Sequence, residues 1–286
     1  MAETALAKRH LAYLRRGRYL VFDRAWQDRL VIQWAETLKD RKAAFRLVHD
    51  EYLRLGYLSA PTPSGMIYRL HHVLPTSSTL LLKDRDTVVG TLTHVLDTDL
   101  YRLPMDKLYG DELNALRRQG RRLAELSALA VRRDYCLQSL FMLLVRAAYE
   151  YALERRVTDF CIMVNPRHAS FYRTFFLFED LGPERLYPLV NAPAVALRAD
   201  LLTFPERLQN LLGTLAKQQS VHTFLTHPWE EAIGWAKVYR RLTTPRPLSR
   251  REIHTLLSLE PAALDDLSSS QQHNISYLCP TPVRVH

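Results

Sequence analysis

Between residues 30 and 200 the chain alternates strand-like and helix-like runs, and this order limits the fold more than any other feature. Residues 30–34 (LVIQW) read as a strand. Residues 40–55 then repeat apolar side chains at helical spacing (Ala44, Leu47, Val48, Tyr52, Leu55), with Gly56 as the stop. Residues 79–82 and 87–96 flank a KDRD turn and predict a hairpin. A helix over 108–119, closed by Gly120, precedes a strand at 123–131, an apolar helix at 139–155 and a strand at 159–164. A short helix at 169–176 and a strand at 194–200 complete the series. Strands separated in this way bury both sheet faces under helices. The order therefore predicts an α/β (α+β) fold, a mixed central sheet with helices on both faces.

The flanks differ. Residues 1–29 read as a basic segment with a helix at 5–16, carrying Lys8, Arg9, Arg15 and Arg16 and stopped by Gly17. Beyond the 30–204 unit, residues 205–286 predict a helical C-terminal extension. Its segments 206–217, 229–241 and 249–257 are separated by Pro228, Pro245 and Pro247, and its end from Ser268 is loose. The stretch 58–78, with Pro61, Pro63, Gly65 and Pro75, is a long connection that reads as a flap.

Composition narrows the function classes. The 286 residues carry a formal net charge of +9, which suits an acidic partner: nucleic acid, anionic lipid or an acidic protein. The three cysteines, Cys136, Cys161 and Cys279, include no CxxC pair or Cys/His ligand set, so neither a disulfide framework nor a zinc site is expected. His71–His72, His49-Asp50-Glu51 and the trio His94, Asp97, Asp99 lack ligand spacing, so no metal is expected. No apolar run approaches the roughly 20 residues of a membrane span, and no signal-peptide pattern is present. A cytoplasmic location is expected. Leu6, Leu11 and Leu14 leave a peripheral membrane contact open. There is no GxSxG, Walker loop or HExxH, and no nucleic-acid-binding signature, so nucleic acid is not the expected partner.

The string RRLAELSALAVRRDYCLQSLFMLLVRAAYEYA, followed by VTDFCIMVNPRHASFYRTFFLFEDLG, resembles the core of the GNAT superfamily. Residues 103–135 and the segment NPRHASFY (165–172) bring it closer to the N-acyl amino acid synthases and their relatives, the acyl-homoserine-lactone (autoinducer) synthases. The resemblance spans roughly 30–200. It implies a GNAT acyltransferase fold in which parallel strands 123–131 and 159–164 splay apart to admit the pantetheine arm of an acyl carrier. It also implies a phosphopantetheine thioester as co-substrate, with no resident cofactor. Leu129, Val131, Arg132, Arg133, Ser139, Leu140 and Asn165 fall where the family holds that arm.

Two departures matter. The usual [QR]xxGx[GA] loop is replaced by Cys136, Ser139 and Phe141, with no glycine to let backbone approach a pyrophosphate. A helix start near Ser139 still suits a single phosphate, which favours an acidic acyl carrier protein over CoA. The run RRQGRR (117–122) is either its docking site or a solvated charged turn. The synthases' ExSR pattern appears here as Glu125, Ser127 and Ala128; Arg132 or Arg133 would have to replace the missing arginine.

Attack on a thioester needs a neutral amine. Glu125 is the candidate general base, directly or through a water; the competing reading is a solvent-facing strand glutamate. Tyr172 sits where many GNAT enzymes place the acid that reprotonates the leaving thiolate, or else it packs among Phe171, Phe175, Phe176 and Phe178. His168 either shares proton transfer or is a structural hydrogen-bonder. The expected activity is transfer of a long-chain acyl group to the amine of an amino acid. The alternatives are an autoinducer-type synthase using S-adenosylmethionine and a non-catalytic GNAT module that binds an acyl carrier.

Overall fold

A computed structural model describes residues 29–135, 137–212, 221–227, 239–242 and 244–265, together with Lys8, Ala12, Leu267, Gln271 and Ile275. The helix expected over 5–16 and the C-terminal end from Ser268 fall almost wholly outside these residues. Among them no helix is long and apolar enough to cross a membrane.

Among the described residues eight strands form one mixed sheet in the order β6-β7-β5-β4-β3-β2-β1-β8. They are β1 (Leu30–Trp34), β2 (Ser77–Asp84), β3 (Thr87–Leu96), β4 (Leu123–Val131), β5 (Asp159–Val164), β6 (Glu179–Tyr187), β7 (Ala192–Asp200) and β8 (Tyr239–Arg241). Only β4/β5 and β1/β8 pair in parallel. The helices are α1 (Leu38–Arg54), α2 (Asp106–Arg118), α3 (Leu137–Glu154), α4 (Pro166–Phe175), α5 (Phe204–Leu212), α6 (Val221–Thr226) and α7 (Arg250–Leu259). Local chemistry explains their starts: Thr37 accepts from the Asp40 N–H at 3.1 Å before α1, and Ser249 forms a capping box with Glu252 before α7.

Burial follows the strand alternation. On one face Leu80, Leu82, Leu92, Ala124, Phe160 and Leu197 pack against Leu140, Leu143, Leu144 and Ala147 of α3, with α4, α5 and α6 on the same side. On the other face Val95, Leu123, Cys161 and Ala196 meet Leu113 and Leu116 of α2, while Ala44 of α1 covers Leu81. Helices therefore lie on both faces, as the order of elements predicts.

Three expectations change. Residues 58–78 are not a free flap: Met66, Tyr68, Leu70 and Val73 are buried with Phe45, Ile253, Leu256 and Leu257, and the Tyr68 hydroxyl donates to Leu256 O at 2.6 Å. Residues 239–241, expected to be helical, form β8 beside β1. The segment beyond 205 thus adds a strand to the sheet and helices to two cores, because its apolar stripes find partners on the 30–204 unit.

The third change is β6, which the sequence conceals. Its segment EDLGPERLY has no apolar alternation, because an edge strand needs none and tolerates charge and proline. Two register shifts bracket Gly182, and a Cβ there would lie 2.7 Å from the Tyr109 ring. Only glycine lets the strand pass so close.

Candidate active site

β4 and β5 pair at three positions only: Leu123↔Asp159, Ala124↔Phe160 and Glu125↔Cys161. Beyond these, β4 stays with β3 as far as Val131 and β5 stays with β7 as far as Val164. The cause is a β-bulge. Thr91 faces Ala130 but Thr93 faces Ser127, so β4 carries one extra residue, and Ala128 takes a left-handed φ of 50°. An extra residue bends the strand and strengthens its twist, which turns β4 away from β5. The closed end is pinned. Asp159, fully buried, is ion-paired with Arg121 and Arg198 at 2.5 Å each. Where the strands part, a cavity of about 650 Å³ opens, and backbone N–H groups of residues 126–131 facing β5 have no strand partner there.

Glu125 occupies the last paired position and lines this cavity. It is 3% exposed, which discards the solvent-facing alternative. Its Oε2 accepts the Met105 N–H at 2.9 Å. Burial pushes its pKa up to about 8; the Met105 N–H acts in the opposite direction, and the nearby Asp106 carboxylate adds to the rise. A carboxyl poised near neutrality is suited to exchange protons with an amine.

Ser127, two residues on, points to the same sheet face. His72 Nδ1 accepts the Arg69 N–H at 3.0 Å, and His72 Nε2 lies 3.0 Å from Ser127 Oγ. Burial, reinforced by the charges of His71, Arg69 and Arg41, lowers the His72 pKa to about 3, so the ring is neutral. A neutral ring whose Nδ1 accepts must donate through Nε2. Ser127 is therefore the acceptor, and its own proton is left for the cavity. In the sequence His72 shows only as a poorly spaced metal ligand, and Ser127 carries no role. Fifty-five residues separate the two, and no local pattern joins them.

Across the gap stand Asn165, His168 and Tyr172, all on the cavity wall. Asn165 caps α4, its Oδ1 accepting the Arg167 N–H at 3.1 Å, which leaves its NH₂ for a ligand. His168 is exposed; its Nε2 accepts from Arg167 Nε at 3.0 Å, and partial burial with the Arg167 charge lowers its pKa. Tyr172 packs among Phe171, Phe178 and Phe176, with ring centroids at 5.3, 5.8 and 6.3 Å. Burial, with Tyr52 and Tyr57 adding, holds its hydroxyl pKa well above the usual value, so it stands as a neutral donor. Packing and facing the cavity are compatible here, since one ring edge does each.

Of the positions expected along the pantetheine arm, Leu129 and Val131 line the cavity. Ser139 and Leu140 do not: both are fully buried, and Leu140 belongs to the main core. Arg132 pairs with Asp134 at 2.7 Å and Arg133 is exposed, so neither replaces the missing arginine beside Glu125. Cys136 lies outside the described residues. In RRQGRR, Arg117 binds Asp97 and Asp106 and Arg121 binds Asp159 and Asp200; of its arginines only Arg118 and Arg122 are exposed. That turn precedes β4 and so sits at the closed end of the strand pair, away from the gap. Among the described residues no group of His, Cys, Asp and Glu is arranged to hold a metal ion.

The family model for N-acyl amino acid synthase FeeM matches residues 43–200, which contain both parting strands and every candidate catalytic residue. The chain belongs to the FeeM family. It is an acyltransferase with the GNAT-type fold expected from its sequence. The solved structure of FeeM, an N-acyl amino acid synthase from uncultured soil microbes, is 28% identical, with a TM-score of 0.56 over 63% of this chain and 95% of FeeM. The CoA-dependent acyl-homoserine lactone synthase BjaI, solved with SAM and isopentyl-CoA, is 18% identical with a TM-score of 0.52, over 76% of this chain and 95% of BjaI. At that identity the likeness extends to the fold alone. No curated protein sequence matches the chain.

Proposed function

We propose that this FeeM-family enzyme transfers a long-chain acyl group from the phosphopantetheine thioester of an acidic acyl carrier protein to the amine of an amino acid. One observation carries the reading: the buried Glu125 carboxyl faces the cavity at the point where β4 and β5 stop pairing. The thioester carbonyl lies in the gap. Glu125, as carboxylate, takes a proton from the acceptor's ammonium or from the attacking amine, and the nitrogen adds to the carbonyl carbon. Oxyanion charge is met by the unpaired N–H groups of residues 126–131 and by the Ser127 hydroxyl, which His72 orients. Collapse breaks the C–S bond, Tyr172 supplies the proton to the departing thiolate, and the proton that Glu125 took from nitrogen passes through solvent to the phenolate, so both groups return to their starting forms. Asn165 offers its amide NH₂ to the pantetheine arm. CoA is the second candidate carrier, since BjaI is CoA-dependent; the glycine-free start of α3 favours the carrier protein.

The test is incubation of the full chain with long-chain acyl carrier protein, or acyl-CoA, and an amino-acid mixture, followed by mass analysis. The expected result is an N-acyl amino acid whose formation falls at least about a hundredfold in Glu125→Gln. Undiminished turnover by that variant, or an acyl group covalently held by the enzyme, refutes the assignment.

A further inference from the structure

The cavity runs through the gap from one face of the sheet to the other. Glu125, Ser127 and His72 line it on the α1/α2 face, whereas Val145, Tyr149 and Phe160 line it on the α3 face, in the main core. The Glu125 carboxyl and the Ser127–His72 pair are thus on one side of the sheet, and these apolar walls, together with Tyr172 of α4, are on the other. On the apolar side the cavity meets residues beyond the FeeM match at 43–200: Leu201, Phe204 of α5 and Leu225 of α6. Phe204 is 6% exposed and Leu225 2%, so this end is sealed from solvent.

The seal is held in place by the core helix. Arg146, buried in α3 and ion-paired with Glu150 at 2.7 Å, donates to the carbonyls of Phe224 and His227 on either side of Leu225. The Tyr149 ring meets Phe204 edge-on at a centroid distance of 5.8 Å. A guanidinium buried against backbone carbonyls has no water to replace them, so the position of Leu225 relative to α3 is fixed.

We infer that α5 and α6 gauge acyl-chain length: the alkyl tail passes through the gap and ends against Phe204 and Leu225, which set the longest chain accepted. This rests on the reading that the cavity holds the acyl group of a thioester. Each methylene buried in an apolar pocket strengthens binding about fourfold. The gain stops where the chain meets a rigid floor.

The experiment uses the full chain, a saturated series from octanoyl to octadecanoyl, and Leu225→Ala and Leu225→Trp. Transfer is read as kcat/KM for each acyl carrier. Binding is read separately, by displacement of an alkyl fluorophore with the matching free fatty acids. The optimum should move to longer chains in Leu225→Ala and to shorter ones in Leu225→Trp. Should either variant fail to fold, Leu225→Val gives the smaller shift toward longer chains. Identical chain-length profiles in wild type and folded variants overturn the gauge, whether or not transfer occurs. If no acyl carrier supports transfer but the binding optimum still moves with residue 225, the gauge stands and the transfer assignment falls.

Discussion

Glu125 makes the stability of this protein depend on pH in a way that its amide analogue should abolish. In the unfolded chain its carboxyl titrates near the ordinary 4.5; in the fold, burial raises that to about 8. Between these values the folded state binds one proton more than the unfolded state, so stability falls as pH rises. The contribution is complete below 4.5 and is lost as pH climbs through about 8. A rise of that size, at about 1.36 kcal/mol per pH unit, corresponds to ~5 kcal/mol, an upper bound because water in the adjoining cavity screens the carboxylate. Glu125→Gln keeps the shape and can still accept the Met105 N–H through its amide oxygen. Urea unfolding of both proteins from pH 5 to about 9 gives the difference directly, since every other titrating group cancels between them. The variant should gain on wild type by a few kcal/mol across this range, with the gain levelling off above the folded pKa. A difference that stays flat with pH refutes the buried, proton-exchanging carboxyl and with it the assignment of a base. The same titration should appear in catalysis as a kcat/KM that rises with pH up to about 8.

Ser127→Ala should lower kcat by about tenfold or more with little change in KM for the amine, because the hydroxyl acts on charge that develops after binding; equal kcat by steady-state assay denies it that part. Asp159→Ala strips the shared partner of Arg121 and Arg198 from the closed end of the strand pair. It should cost about 3–5 kcal/mol by denaturant unfolding, and a loss within error of zero would mean that the two arginines find other partners. Gly182→Ala places a methyl group against the Tyr109 ring, whose hydroxyl lies 2.8 Å from Ala194 O and is not free to retreat. The expected cost is about 1–3 kcal/mol, and an unchanged urea midpoint would argue against the close packing of β6 on α2.

The strands β1, β3, β4 and β5 and the helices α1 and α3 were legible because period and punctuation are written in consecutive residues. Glu125 stood out for a different reason, the resemblance of LAELS and its neighbours to the synthases; its burial against the cavity comes from the fold. β6 was not legible, since an edge strand with charges, glycine and proline carries no apolar period, and β8 was not because pairing beside β1 overrides a local helical preference. Ser139, Leu140, Arg132 and Arg133 were placed by correspondence with a loop that this chain has altered, and their side chains went to the core, to Asp134 or to solvent.

What the sequence determined by itself was the order of elements, the sheet with helices on both faces, and a carboxyl on the fourth strand. These depend on interactions within a few residues, and side-chain type and spacing specify them. Where β4 leaves β5, how His72 turns the Ser127 proton toward the cavity, and the meeting of Phe204 and Leu225 at its far end arise only when the chain is folded. Each of those is a meeting of segments distant along the chain, chosen by which buried surfaces and hydrogen-bonding groups could satisfy one another at once.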